Sequence, residues 1–465
     1  MTRIVIMGGG PAGYEAALVA VQHGADVTVV ERDGMGGACV VDDCVPSKTF
    51  IASAGVRVEL RRGDELGVQV DRQAAPVDLP LVNNRVRNLA LAQSADVRAR
   101  LEREGIRIIR GTSRFARQTA GAAHLVEAVT DGGTEELPAD VVLVATGATP
   151  RMLDDARPDG ERIVTWRQLY DLPELPGHLI VVGSGVTGAE FCSAYVEMGS
   201  EVTLISSRDR VMPGEDADAS AVLQDVFLDR GVHTMAQARA ESVKRTDDGV
   251  VVTLTDGRTV MGSHALMTVG SIPNTTDIGL ADVGIETDRG GFIPVDRVSR
   301  TSVPGIYAAG DCTGVMMLAS VAAMQGRIAM WHALGEGVAP IKLKTVAAAV
   351  FTRPEIAMVG ISQRAIDNGE VPARTIMLPL STNPRAKMQG LRRGFVKLFC
   401  RPATGVVIGG VIVAPVASEL ILPIAMAVQN GLTVENLALT FSVYPSLSGS
   451  ITEAARQLMR HGDLD

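Results

Sequence analysis

The chain has 465 residues, of which 46% are apolar, 3% aromatic and 49 glycine, with a formal net charge of −9. Such a length exceeds what one hydrophobic core supports, so several domains are expected. The acidic balance argues against a protein that grips nucleic-acid phosphates, which needs a basic face.

The chain opens Met-Thr-Arg with no apolar leader, so no secretory signal is expected. Arg3 to Met7 reads as a strand, Gly8-Gly9-Gly10-Pro11-Ala12-Gly13 as a turn, and Tyr14 to His23 as a helix. Val27 to Val30 is the next strand, closed by Glu31. Gly8 permits a tight turn, Gly10 a close backbone approach to a pyrophosphate, and Gly13 close helix–strand packing. The helix start around Pro11 and Ala12 offers free N–H groups to phosphate, and Glu31 can bond ribose hydroxyls. Just beyond, Gly36-Gly37-Ala38-Cys39 leads to Cys44-Val45-Pro46-Ser47-Lys48. The Cys39/Cys44 spacing suits a disulfide poorly on a regular helix, so that turn must be distorted.

Asp140 to Val144 is a buried-type strand closing on Ala145-Thr146-Gly147-Ala148, and Pro150 to Pro176 reads as a crossover. A second copy of the opening pattern follows. Leu179 to Val182 is its strand, Gly183-Ser184-Gly185-Val186-Thr187-Gly188 its turn, Ala189 to about Met198 its helix, and Val202 to Ile205 its second strand. No acid ends that strand; Ser206-Ser207-Arg208 stands there instead, and serines with arginine suit a 2′-phosphate that a carboxylate would repel. NADP(H) is therefore favoured over NAD(H).

Ala265 to Gly270 reads as a strand. Gly305 to Asp311 gives a strand and a tight turn holding Gly310-Asp311; Met316, Met317, Leu318 and Ala319 follow beside the expected cofactor site. From about Lys342 alternating apolar strands begin, including Phe395–Phe399 and Val406–Ile408. The apolar run from Gly405 to Val428, broken by Pro415, Glu419 and Pro423, reads as a strand, a turn and a buried helix, not a membrane span. The expected architecture is α/β: two Rossmann-like dinucleotide-binding domains plus a C-terminal α+β domain, which the family resemblance given below implies is a dimerisation domain. The divisions are 1–150 and 271–341 for the domain of the first cradle (FAD, by that resemblance), 151–270 for the domain of the second, NAD(P), and 342–465 for the third.

Five cysteines make no disulfide framework, and cytoplasmic residence is expected. Cys192, Cys312 and Cys400 read as small core residues. No pair among the seven histidines shows metal-ligand spacing, so no metal is expected, and His461 reads as an exposed tail residue.

The two cradles, the segment ending Cys44-Val45-Pro46-Ser47-Lys48, Ala145-Thr146-Gly147 and Gly310-Asp311 resemble those of the pyridine nucleotide–disulfide oxidoreductases, the flavoprotein disulfide reductases. The resemblance covers nearly the whole chain. It implies FAD in the first cradle, with Gly37, Ala145, Thr146, Gly147, Gly310, Asp311, Leu318 and Ala319 around it. It implies a nicotinamide nucleotide in the second, with Gly270 nearby. It further implies Cys44 against the flavin, Cys39 as the exchanging thiol, a Lys48–Glu190 ion pair, and a homodimer or dimer of dimers.

Two departures alter the expected activity. Asp43, preceded by Asp42, stands where the family usually has Gly, and carboxylates beside thiols should raise the thiol pKa. Tyr444 and Gly449 stand where the family carries the His and Glu that move protons for thiol exchange across the dimer. Tyr ionises near 10, and loss of a positioned acid–base typically costs about 10²–10⁴ in rate. The expected function is therefore FAD-dependent NAD(P)H:quinone (or other acceptor) oxidation–reduction. The alternatives are a dithiol–disulfide reductase using Cys39 and Cys44, with Tyr444 or the substrate moving the proton, and a non-catalytic flavin redox sensor.

Overall fold

The computed structural model describes residues 1–69, 76–116 and 123–459; His461 lies outside them. Two all-parallel sheets dominate. In the first, the strand order is Ile306–Ala308, Val141–Val144, Arg3–Met7, Asp26–Glu31, Arg107–Arg110. In the second it is His233–Met235, Glu201–Ile205, His178–Val182, His264–Met267, Ile163–Thr165. The repeat seen in sequence is a repeat in register: Ile4 pairs with Val27 as Leu179 pairs with Val202. Past Arg3 and His178 both central strands are apolar and buried, with helices on one face and the residues of a small antiparallel sheet on the other.

Both cradle helices begin earlier than their composition suggests. The first spans Pro11–Gln22 and the second Val186–Met198, each capped by an extended glycine, Gly10 or Gly185. Pro11 fits the first helical position because its fixed φ matches and its missing N–H would be unbonded there.

The chain leaves the first sheet after Val144, builds the second, and returns through Ile306–Ala308, which pairs with Val142–Val144. Small antiparallel sheets flank each: Thr112–Phe115 with His124–Thr130 and Gly133–Ala139, and Ala240–Arg245 with Val250–Leu254 and Thr259–Gly262.

The C-terminal sheet is antiparallel, in the order Ala347–Val350, Glu355–Gly360, Val407–Ala414, Phe395–Cys400, Arg374–Pro379. Alternation is confined to its edge strand Arg374–Pro379; Phe395–Cys400 and Val407–Ala414 are buried along their whole length, since elements pack on both faces. The helix expected to be buried near Val428 is Leu422–Asn430 and buries only Ile424 and Ala427. Leu422 and Met426 are more than half exposed, because no element among the described residues covers this face. No described helix is long and apolar enough to cross a membrane.

Candidate active site

The first glycine turn is shaped by contacts that exclude side chains. Gly8 has φ +113°, and a Cβ there or on Gly13 would collide with the carbonyl oxygens of Ala145 and Gly8 respectively. Gly37, at φ +56°, presses against Gly10; a Cβ on it would come within 2.7 Å of the Gly10 Cα. The Glu31 carboxylate accepts hydrogen bonds from the Gly9 and Asp33 N–H groups, each at 2.7 Å.

A cavity of about 650 Å³ opens at this turn. Gly8, Gly10, Pro11, Ala12 and Glu31 form one wall, and Ala145, Thr146 and Gly147 another. Gly37, Cys39, Asp43 and Cys44 line the thiol side, and Gly310, Asp311, Met317 and Ala319 close the remainder. Leu318 is the N-cap of the adjoining helix Ala319–Ala333.

The chain between the thiols breaks its helix. Cys39 lies in Gly37–Val41 and Cys44 begins Cys44–Arg61, with Asp42 and Asp43 out of helical geometry between them. Both cysteines are free and partly buried. They share a hydrogen bond, which lowers the Cys39 pKa against the opposition of burial and of the Asp43 charge. The same bond, burial and Asp43 all raise Cys44. Cys44 thus follows the expectation drawn from the neighbouring carboxylates, while Cys39 departs from it, because its partner's S–H stabilises its thiolate.

Lys48 Nζ lies 2.8 Å from Glu190 Oε2 and 4.9 Å from the Phe351 ring centroid. Burial pulls the Lys48 pKa down, but the Glu190 charge and hydrogen bond carry it above its ordinary value. Asp42 faces Arg167 at 3.2 Å. Burial, followed by the Asp43 charge, pushes Asp311 up to about 6.

The second turn repeats the first. Gly183 has φ +114°, and a Cβ on Gly188 would strike the Gly183 carbonyl oxygen. Gly185 caps the helix in which Val186 and Thr187 are the first residues. These residues, with Ser206, Ser207, Arg208 and Gly270, do not line the first cavity. Ser206 is fully buried, and its hydroxyl meets Ser184 Oγ at 2.7 Å. Only Ser207 and Arg208 of that trio are exposed. Tyr444 is 83% exposed beside Phe441 and Val443.

Several site residues escaped the sequence reading. Asn274 donates to the Thr146 carbonyl at 2.9 Å, and Gln325 Oε1 accepts from the Gly310 N–H at 2.9 Å. Trp166 and Arg167 reach the cavity from the segment read as a crossover. The scarcity of tryptophan, two in the chain, was the available signal.

Residues 2–326 match the model of the pyridine nucleotide-disulphide oxidoreductases, and residues 346–455 match the dimerisation domain of that family. The chain belongs to this family. It is 65% identical to an NAD(P)H dehydrogenase (quinone) of Mycobacterium tuberculosis, over 100% of this chain and 95% of the relative. It is 34% identical to a dihydrolipoyl dehydrogenase of Chlorobaculum tepidum, over 97% and 96% of the two chains. The crystal structure of LpdA from Mycobacterium tuberculosis aligns at a TM-score of 0.95 and 64% identity, covering 99% of this chain and all of that one. A flavoprotein disulfide reductase of Escherichia coli, RclA, shares the fold at a TM-score of 0.87 and 23% identity. The architecture is accordingly that of a flavoprotein disulfide reductase, and the chain is a flavin-dependent oxidoreductase enzyme rather than a bare sensor.

The residues present fit FAD. The first cradle would hold the pyrophosphate where added Cβ atoms would fill the space, and Glu31 stands at the end of its strand. Bound FAD supplies a two-electron carrier between a nicotinamide and an acceptor.

Proposed function

We propose that the protein is an FAD-dependent NAD(P)H:quinone oxidoreductase whose electrons reach the acceptor without passing through sulfur. The observation that carries this reading is the pair Tyr444 and Gly449, which puts no imidazole and no carboxyl where thiol exchange would need them. The Mycobacterium tuberculosis relative named as a quinone dehydrogenase supports it. The first cradle holds and orients the cofactor, Lys48 keeps a proton and a positive charge beside it through Glu190, and the second cradle presents the nicotinamide nucleotide. Residues 1–150 and 271–341 would form the FAD domain, 151–270 the NAD(P) domain and 342–465 the interface domain.

NADPH is the preferred donor in this reading, with Ser207 and Arg208 as the exposed groups that meet the 2′-phosphate. The inward Ser206 contributes by shaping the loop. The exposed Phe441, Val443 and Tyr444 belong at a homodimer or dimer-of-dimers interface, where burial of such side chains is favourable. Free thiols accord with residence in the cytoplasm.

A second reading, reduction of a dithiol–disulfide substrate, is favoured by the hydrogen-bonded contact of Cys39 and Cys44. Steady-state turnover of NADPH with a benzoquinone, with lipoamide and with glutathione disulfide separates the two. Rapid quinone reduction with negligible disulfide reduction is expected; the opposite order would replace the first reading by the second.

A further inference from the structure

The charges around the thiols do not cancel. Lys48, the cation that acts on both sulfurs, is engaged by Glu190 at 2.8 Å, and Arg167 is engaged by Asp42 at 3.2 Å. Asp43 also lines the cavity with Cys39, Cys44 and Asp311, and among the described residues it has no ion-pair partner of its own. Asp311 adds a second carboxyl on the facing wall. Two ion pairs and an unmatched acid leave the sulfur pair facing surplus negative charge.

A buried phenol lies within range of the same acid. Tyr170 is 5% exposed, and its hydroxyl has no hydrogen-bond partner among the described residues. The Asp43 charge is the strongest acting on it. The phenol therefore donates no hydrogen bond to the Asp43 carboxyl.

We propose that Asp43 is a specificity-determining residue that keeps electrons off the Cys39–Cys44 pair by opposing the thiolate a reduced pair must carry. This rests on the quinone-reductase reading above and supplies its cause. Reducing a Cys39–Cys44 disulfide with NADPH breaks one S–S bond and delivers two electrons and one proton as hydride. The products are NADP⁺, one thiol and one thiolate. A neighbouring carboxylate disfavours that thiolate. Asp43 is the strongest charge acting on either sulfur, ahead of Lys48, which pulls the other way. Burial raises the Asp43 carboxyl itself, and Lys48 offsets this in part. Glu190, Asp42 and Arg167 are the other charged groups acting on it. Electrons denied to sulfur remain available to the external acceptor.

The test uses the FAD-loaded protein, reduced with dithiothreitol and alkylated with iodoacetamide at about pH 6, well below the ordinary thiol pKa, where the rate follows the small thiolate fraction. The rate is read at Cys39 by mass spectrometry. Asp43→Asn and Asp43→Ser should both react about tenfold faster than the native chain, the equivalent of about one pK unit. Asp43→Glu should retain the native rate. With the Cys39–Cys44 pair first oxidised to the disulfide and one equivalent of NADPH then added anaerobically in place of dithiothreitol, the neutral variants should become alkylatable and the native chain should not. Two neutral replacements keep the test open if one folds poorly. Equal rates in native and neutral proteins would overturn the proposal, as would a Glu variant that behaves like Asn. Alkylation of chemically reduced protein involves no turnover, so its failure leaves the quinone reading standing. Failure of that reading shows only in acceptor assays.

Discussion

Glu190 divides its carboxylate between two distant segments: Oε2 receives Lys48 Nζ at 2.8 Å, while Oε1 accepts the Phe351 N–H at 2.9 Å. One side chain on the second cradle's helix thereby ties the thiol helix to the start of the C-terminal sheet. The Glu190 side chain is 4% exposed and that of Lys48 32%, so solvent screens only one end of the pair. Glu190→Gln should keep a hydrogen bond to Phe351 and lose the charge partner of Lys48. The expected cost is about 1–3 kcal/mol, read from urea unfolding of the holoprotein. An unchanged midpoint would show that the pair contributes nothing to stability.

Gly188 separates the two nucleotide sites experimentally. Its Cβ would overlap the Gly183 carbonyl oxygen, and backbone cannot yield as a flexible side chain does. Gly188→Ala should retain FAD, measured by its visible absorbance after gel filtration, yet lose most of its reduction by NADPH in stopped flow. Normal reduction by NADPH would remove the second turn from the nucleotide site.

Lys397 is a buried cation on a C-terminal strand, bonded to both Asp216 oxygens at 2.9 and 2.8 Å. Asp216 also caps the helix Ala217–Asp229 by accepting from the Asp218 and Ala219 N–H groups. The Lys397 and Asp216 side chains are each 4% exposed. Lys397→Met strands a buried carboxylate and should cost about 3–5 kcal/mol. Adding Asp216→Asn should recover much of that. Thermal unfolding of the single and double variants measures the coupling, and purely additive losses would contradict it.

Asp311 gives the flavin-free protein a pH dependence of defined sign. Burial first, then the Asp43 charge, raises its pKa from 3.8 to about 6. Between those values the folded state holds a proton that the unfolded state has released, so this group's contribution to stability falls as pH rises through the window. Asp311→Asn should remove that contribution and gain most, relative to the native chain, above the window. Urea midpoints of both apoproteins on either side of the window provide the measurement. A parallel pH dependence of the two would refute the assignment.

What was legible in the sequence was local. Gly13 and Gly188 announce themselves because the clash each avoids, with the carbonyl oxygens of Gly8 and Gly183, arises within its own strand–turn–helix unit, whereas Gly8 and Gly183 are marked by spacing and their clashes fall on the remote Ala145 and Thr268. The broken helix between Cys39 and Cys44 followed from spacing alone. Side-chain direction was less accessible: Ser206 ends its strand pointing inward to Ser184, which composition does not encode. Arg167, Asn274, Gln325 and Phe351 come from remote segments that only tertiary folding brings to the site, so no spacing rule marks them. The exposed flank of Leu422–Asn430 read as buried because apolar composition does not distinguish a core from a surface awaiting a partner.

The most direct measurement is quinone turnover by the double variant Cys39→Ser, Cys44→Ser, with NADPH as donor and FAD content matched to the native protein. With sulfur outside the electron path, kcat should stay within about threefold of native, less than 1 kcal/mol of barrier. A fall of about a hundredfold or more, comparable to removing a catalytic acid–base, would mean that the electrons travel through the thiols after all.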